Sequence, residues 1–254
     1  MTGNYPELQG RTVVVTGGSR GIGAETARAF AAQGAAVCVV GRDAAALAGV
    51  VGEIERAGGA ALSAVADVTD PGALDGVRAS VEGWFGPVDV LAAFAGGQGF
   101  PVPTAELTAG RWREVLESDL TSAFLTVQAF LPGMLERGSG SILTMSSAAG
   151  RQPSGANLAY GVANAGVVML TRHLATELGP YGIRVNCLAP SAILTERVRE
   201  RMPAEVQRRV ADTHPLARLG TPQDVASAAL FLASDAAGWL TGLTVDVAGG
   251  RITN

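Results

Sequence analysis

The sequence predicts an α/β fold: a doubly wound, parallel, seven-stranded sheet with helices on both faces, in a single domain over 1–254. Three observations lead there. Short apolar runs recur along the chain, each long enough for a strand and too short for a complete helix. Helix-length stretches separate them, as right-handed crossovers between parallel strands require. A glycine cluster directly follows the first run and opens the first helix.

Taken in order, Thr12–Thr16 is the first predicted strand, with a helix over 22–33. Ala36–Gly41 and a helix over 43–57 follow, Asp43 serving as the N-cap because its short carboxylate can accept an unpaired helix N–H. Ala61–Ala66 leads to a helix over 71–83, Val88–Ala93 to a long one over 110–136, and Ser141–Ser146 to one over 155–178. Ile183–Leu188 precedes a long connection, then a helix over 222–234 and a last strand at Leu243–Val247. Runs that are apolar at successive positions fit strands buried on both faces. The connection 191–221 carries Glu196, Arg197, Arg199, Glu200 and Arg201 and ends in His214-Pro215. It leaves the carboxyl end of a strand, where ligands bind in such sheets, and is long for an idle loop. We expect a substrate lid, with its arginines on solvated helix surface.

Composition narrows the function classes. A net charge of −4 without a long basic run argues against nucleic acid. The most apolar helix candidate, Leu158–Leu178, is broken by Asn164, Arg172, His173 and Glu177, which fits a core or subunit-interface helix rather than a membrane span. Met1–Gln9 is short and polar, with no apolar signal core, so a cytoplasmic protein is expected. Cys38 and Cys187 lie in apolar runs without metal or redox spacing, and no metal site is expected. His173 is given no role. All 19 cationic Lys/Arg positions are arginine; the chain has no lysine.

Thr16-Gly17-Gly18-Ser19-Arg20-Gly21-Ile22-Gly23 joins the first strand to the first helix. Glycines at 17, 21 and 23 permit a tight turn and close backbone approach, and the helix start offers N–H groups and a positive dipole to a pyrophosphate. At the end of the second strand stands Arg42, with Arg20 in the glycine loop. Two guanidinium groups there favour the 2′-phosphate of NADP(H) over the free ribose hydroxyl of NAD(H).

The glycine loop, Ser147 in Met145-Ser146-Ser147-Ala148-Ala149-Gly150, Tyr160 thirteen residues later, and the Asn186–Thr195 stretch together resemble the short-chain dehydrogenase/reductase family, whose domain is Rossmann-like. Arg218–Val225 and Val245–Gly250 match its C-terminal pattern, so the resemblance spans nearly the whole chain. It implies cofactor contacts from Gly17, Ser19, Arg20, Gly21, Ile22, Gly23, Arg42, Asp67, Val68, Ala95, Gly96, Tyr160, Asn164, Pro190, Ile193 and Thr195. Asp67 equally suits an N-cap, and the two roles are compatible. The resemblance also implies a mainly apolar pocket near Phe94, Gln98, Phe100 and Leu194, with Arg151 either meeting a substrate carboxylate or lying on the surface, and a homotetramer or homodimer pairing the helices 110–136 and 155–178.

Four catalytic residues are usual in that family: Asn, Ser, Tyr and Lys. Ser147 and Tyr160 match; Asp119 stands at the Asn position and Asn164 at the Lys position. Ala93-Phe94-Ala95-Gly96 replaces a common Asn-Asn-Ala-Gly, and Ser191 replaces the glycine after Pro190. A lysine ammonium would help Tyr160 ionise; a neutral Asn does not, and an ionised Asp119 opposes it. The resemblance therefore implies an NADP(H)-dependent carbonyl reductase for a small or medium, mainly apolar substrate, running toward reduction. Two alternatives stay open: a redox-silent isomerase, dehydratase or cyclase using Tyr160 and Asp119 as acid and base, and a non-catalytic NADP-binding protein.

Overall fold

Seven strands form one sheet in this computed structural model, which describes residues 3–253; Met1, Thr2 and Asn254, the ends of the expected 1–254 span, lie outside the described residues. They are β1 (Thr12–Thr16), β2 (Ala36–Gly41), β3 (Ala60–Val65), β4 (Val90–Ala93), β5 (Gly140–Met145), β6 (Ile183–Pro190) and β7 (Thr244–Val247). Their order is β3-β2-β1-β4-β5-β6-β7 and every pairing is parallel. Chain direction across the sheet reverses between β1 and β4, and a crevice opens there at the strands' carboxyl ends.

Side-chain alternation explains why the central strands read as unbroken apolar runs. In β1, Val13 and Val15 join a core with Phe30, Leu47 and Leu230, while Val14 points into the opposite core with Leu74, Phe130 and Met134. Both faces are covered, so both sets of positions must be apolar. The first face is covered by α1 (Gly21–Ala32), α2 (Ala44–Arg56) and α9 (Pro222–Ala233); α3 (Pro71–Phe85), α5 (Ser122–Arg137) and α6 (Leu158–Leu178) cover the second. The edge strand β3 departs from the expectation of two-sided burial, alternating exposed and half-buried positions because it has one neighbour.

Two further departures bear on function. The single helix expected over 110–136 is α4 (Ala109–Leu116) and α5 joined without a break by a π turn at Glu117–Thr121, which widens the helix by one residue. The connection 191–221 contains two short helices, α7 (Glu196–Arg201) and α8 (Ala204–Ala211). Gln207 holds the turn between them through the carbonyl of Met202 at 2.8 Å, and Ile193 bridges to Gly220 where the connection closes on itself.

Candidate active site

A cleft of about 1190 Å³ runs along the carboxyl ends of the strands, from Arg42 and Asp67 at one end to Tyr160 and the α7 segment at the other. Its floor is the glycine loop. Gly17 and Gly21 have φ of +67° and +57°, which disfavours side chains, and a Cβ on Gly23 would stand 2.2 Å from the carbonyl oxygen of Gly17. The backbone thus packs on itself and leaves room above. Arg20, the residue capping α1, makes no side-chain cap bond, so the first helical N–H groups are left to a ligand. These features fit a dinucleotide pyrophosphate. Thr16 ties this floor to the next wall: its hydroxyl oxygen accepts the N–H of Phe94 at 3.0 Å and of Ala95 at 3.2 Å.

At the adenine-side end, Asp43 caps α2 through the N–H of Ala46 at 3.1 Å and is also paired with Arg20. Arg42 lies 3.6 Å from Asp67. Asp67 accepts the N–H and hydroxyl of Thr69, and those bonds, the backbone one foremost, hold its carboxyl below the usual range. Both guanidinium groups therefore reach the cleft edge, each beside a carboxylate. Val68 lines the same end.

The other end of the cleft is built on α6. Asn157 caps that helix by accepting the N–H of Tyr160 at 2.9 Å. Ser147 opens the turn after β5, its oxygen accepting the N–H of Ala149, and its hydroxyl faces the Tyr160 phenol and favours ionisation. Gly150 lets this turn press on α6; a Cβ there would come within 2.5 Å of the Asn164 carbonyl carbon. Burial nevertheless pushes the Tyr160 pKa up, with the Asp119 charge adding to the rise and Ser147, Arg197 and Asn164 opposing it. The Asn164 amide is buried and donates to the Tyr160 backbone oxygen at 2.9 Å, while the Asn164 backbone carbonyl accepts from the Ser146 hydroxyl at 2.8 Å.

Asp119 sits at the centre of the π turn and is buried. One carboxylate oxygen accepts the N–H groups of Gly97 at 3.0 Å and Gln98 at 3.3 Å; the other is 2.5 Å from the Ser118 hydroxyl. Desolvation raises its pKa in spite of those bonds. The loop it holds, 96–100, walls the cleft opposite Tyr160, and a Cβ on Gly99 would come within 3.0 Å of the Tyr160 ring.

Most of the residues expected in the site line this one cleft: Gly17, Ser19, Arg20, Gly21, Ile22, Gly23, Arg42, Asp67, Val68, Phe94, Ala95, Gly96, Gln98, Phe100, Asp119, Ser147, Tyr160, Asn164, Pro190, Ile193 and Thr195. Two expectations are corrected. Arg151 turns away to make a two-pronged bond with Asp246 at 3.0 and 3.2 Å, and it does not line the cleft. Leu194 is also absent from the wall, its N–H donating to Gly220. The apolar lining of the 191–221 segment includes Ile193, Val198, Met202 and Val206 instead. Gln98 lines the cleft, but its side-chain oxygen accepts from Arg111 at 2.9 Å. Sequence reasoning overlooked Asn157, whose amide donates to the carbonyls of Gln98 and Phe100, both at 2.8 Å. An Asn immediately before a predicted helix was the available signal. Arg197 and Arg201 are exposed, as expected, and both also border the cleft and lie over the Phe100 ring.

Among the described residues no group of three or more His, Cys, Asp or Glu side chains is gathered to hold a metal, and no helix is long and apolar enough to cross a membrane. Cys38 and Cys187 are buried and free; burial pushes the Cys38 thiol up to about 12.

A family model described as enoyl-(acyl carrier protein) reductase matches residues 17–251. The cis-4-hydroxycyclohexanecarboxylate dehydrogenase of Sinomonas cyclohexanicum is 40% identical over 240 residues, covering 94% of this chain and 96% of that protein. Two similar solved structures differ in their bound cofactor. One is a 3-oxoacyl-[acyl-carrier protein] reductase from Brucella melitensis with NAD, at TM-score 0.89 and 36% identity over 98% of this chain and 94% of the other. The second is a proposed NAD(P)-dependent gluconate 5-dehydrogenase from Beutenbergia cavernae with NADP at low occupancy, at TM-score 0.89 and 37% identity over 96% and 97%. With the parallel seven-stranded sheet, the glycine-lined cleft and the Ser147–Tyr160 pair already described, these matches show that the chain belongs to the short-chain dehydrogenase/reductase family of oxidoreductases.

Proposed function

We propose that the protein is an NADP(H)-dependent carbonyl reductase acting on a small or medium substrate whose skeleton is mainly apolar, with 191–221 as the lid over it. The observation that carries this reading is the Ser147–Tyr160 hydroxyl pair at the far end of the dinucleotide cleft, with a tyrosine whose pKa is raised by burial. When bound, the nicotinamide supplies a hydride. Ser147 and Tyr160 orient the substrate carbonyl oxygen, and the Tyr160 phenol gives it a proton. Ionising an ordinary tyrosine at pH 7 costs roughly 4 kcal/mol, and a raised pKa adds to that. Tyr160 is therefore a proton donor at neutral pH and a poor acceptor, which favours reduction over alcohol oxidation. Asn164 occupies the place where the family usually has lysine and brings no charge; its amide holds the α6 backbone beneath the phenol.

The preference for NADP(H) is supported by Arg20 and Arg42 at the cleft edge and by Asp43 being engaged in capping α2. A 2′-phosphate would draw both guanidinium groups. Asp119 favours the redox-silent alternative less than its burial suggests, because its oxygens are engaged with Gly97, Gln98 and Ser118. Exposed Phe124 on α5 and Leu158, Val162 and Met169 on α6 support a homodimer or homotetramer formed through those helices.

The test is to titrate NADPH and NADH against the protein, then to follow nicotinamide absorbance with a panel of ketones. Tighter NADPH binding, weakened in Arg42→Ala, and ketone-dependent oxidation are expected. Product formation without net NADPH consumption would transfer the reading to the redox-silent alternative, and binding without any product to the non-catalytic one.

A further inference from the structure

Arg197 and Arg201 are four residues apart on α7 and so share one face of it. Their guanidinium carbons lie 4.7 and 5.5 Å from the centroid of the same ring, that of Phe100. Among the described residues neither is in an ion pair, although Arg20 and Arg42, which also border the cleft, each have a carboxylate partner. The neighbouring Glu196 does not supply one, since its carboxylate extends toward Gly21 on the glycine-loop side. Two like charges at this spacing repel each other, and the aromatic face offsets only part of that. The aromatic seat and a 3.4 Å contact from Arg197 to the Gly97 carbonyl hold the pair in place, at the mouth of the cleft that contains Tyr160.

A planar pair of donor forks, held in advance and lacking an anion, suits a carboxylate. We infer that Arg197 and Arg201, seated on Phe100, form a subsite for a carboxylate of the substrate whose carbonyl is held by Ser147 and Tyr160. The inference rests on the reductase reading for the identity of the reacting end. Val198 and Met202 lie on the cleft wall beside the arginines, so the skeleton between carboxylate and carbonyl is apolar. The substrate class is thus an oxo acid rather than a neutral ketone.

The experiment pairs cyclic and aryl oxo acids with their methyl esters, using the wild type, Arg197→Gln, Arg201→Gln and the double variant. NADPH consumption is measured together with calorimetric binding of each acid to the protein–NADP+ mixture. For the best substrate pair, the acid should exceed its ester by about 10-fold or more in kcat/KM, chiefly through KM, as a charged hydrogen bond predicts. The double variant should erase that preference and leave the KM for NADPH unchanged. Equal use of acid and ester would overturn the subsite while leaving the reductase reading intact. So would arginine variants that raise the NADPH KM and keep the acid preference, since the pair would then serve the cofactor. If no ketone is consumed, the reductase reading fails, and calorimetry decides the subsite alone. Acid binding lost in the double variant sustains it, and absence of binding rejects it.

Discussion

Asn157 accepts the backbone N–H of Tyr160 at 2.9 Å while its amide donates to the carbonyls of Gln98 and Phe100, so one buried side chain fixes both the start of α6 and the loop facing it. Replacing it by alanine removes a helix cap, at about 1 kcal/mol, and leaves two carbonyls without their donor. Asn157→Ala should destabilise the protein by about 2–4 kcal/mol in urea unfolding. Asn157→Asp keeps the cap acceptor but loses the donor. Its melting temperature should stay well below that of the wild type; recovery to the wild-type value would mean that the loop bonds contribute nothing.

Asp119 gives a pH signature. Burial raises its carboxyl pKa above the ordinary aspartate value, so between the two the folded protein holds a proton that the unfolded chain has released. Stability conferred by the protonated form is complete below the unfolded pKa and is lost as pH rises through the folded one. Asp119→Asn keeps an acceptor for Gly97 and Gln98 without the buried charge. The variant should gain melting temperature over the wild type near neutrality, with the gain shrinking as pH falls toward 4. A gain independent of pH would rule out this account.

Under the proposed reductase reading, Tyr160 should govern the direction of catalysis. With its pKa raised, ketone reduction should be flat with pH through neutrality, and alcohol oxidation should climb about tenfold per unit well into the alkaline range. Tyr160→Phe should cost ~10²–10⁴ in reduction rate. Asn164→Lys should shift the rising limb of oxidation to lower pH, because an ammonium there favours the phenolate. Steady-state profiles in both directions check this, and an oxidation rate that plateaus by pH 7 in the wild type would contradict it.

His214 should anchor the lid. Its Nδ1 is 2.8 Å from the Val210 carbonyl, which can only accept, so the proton resides there and Nε2 accepts from the Ser191 hydroxyl at 2.9 Å. The ring is buried, so His214→Ala strands two polar partners and should cost about 2–4 kcal/mol. Ser191 is on the cleft wall directly after Pro190, and the same variant should also weaken dinucleotide binding. Unchanged thermal stability and unchanged affinity would show that the bond is idle.

The sheet was legible because its central strands are buried on both faces, and that leaves an unmistakable apolar run at Val13–Val15 or Val37–Val40. The edge strand β3 was found despite its exposure because its helix and turn bracketed it. The glycine loop was readable for a steric reason: Gly23 has no room for a side chain. The π turn was not readable, since Glu117–Thr121 has an ordinary helical composition and only packing decides that one residue bulges. Arg151 misled because proximity in sequence to Ser147 says nothing about Asp246, 95 residues away. The bounds of the two helices in 191–221 escaped for a similar reason. They are too short to show a period, and the Phe100 ring that seats Arg197 and Arg201 lies in another part of the chain.

The bulge between α4 and α5 acts as a phase setting for everything that follows it. Each residue of an α-helix advances the azimuth by about 100°, so the extra residue turns Asp119 toward Gly97 while α5 still presents Val127, Phe130 and Met134 to the sheet. Deleting one residue within 117–121 would regularise the helix locally and put those two requirements out of phase. Insertions and deletions should therefore be tolerated far less here than in the exposed turn at Ala57–Gly58, even though both are changes of a single residue.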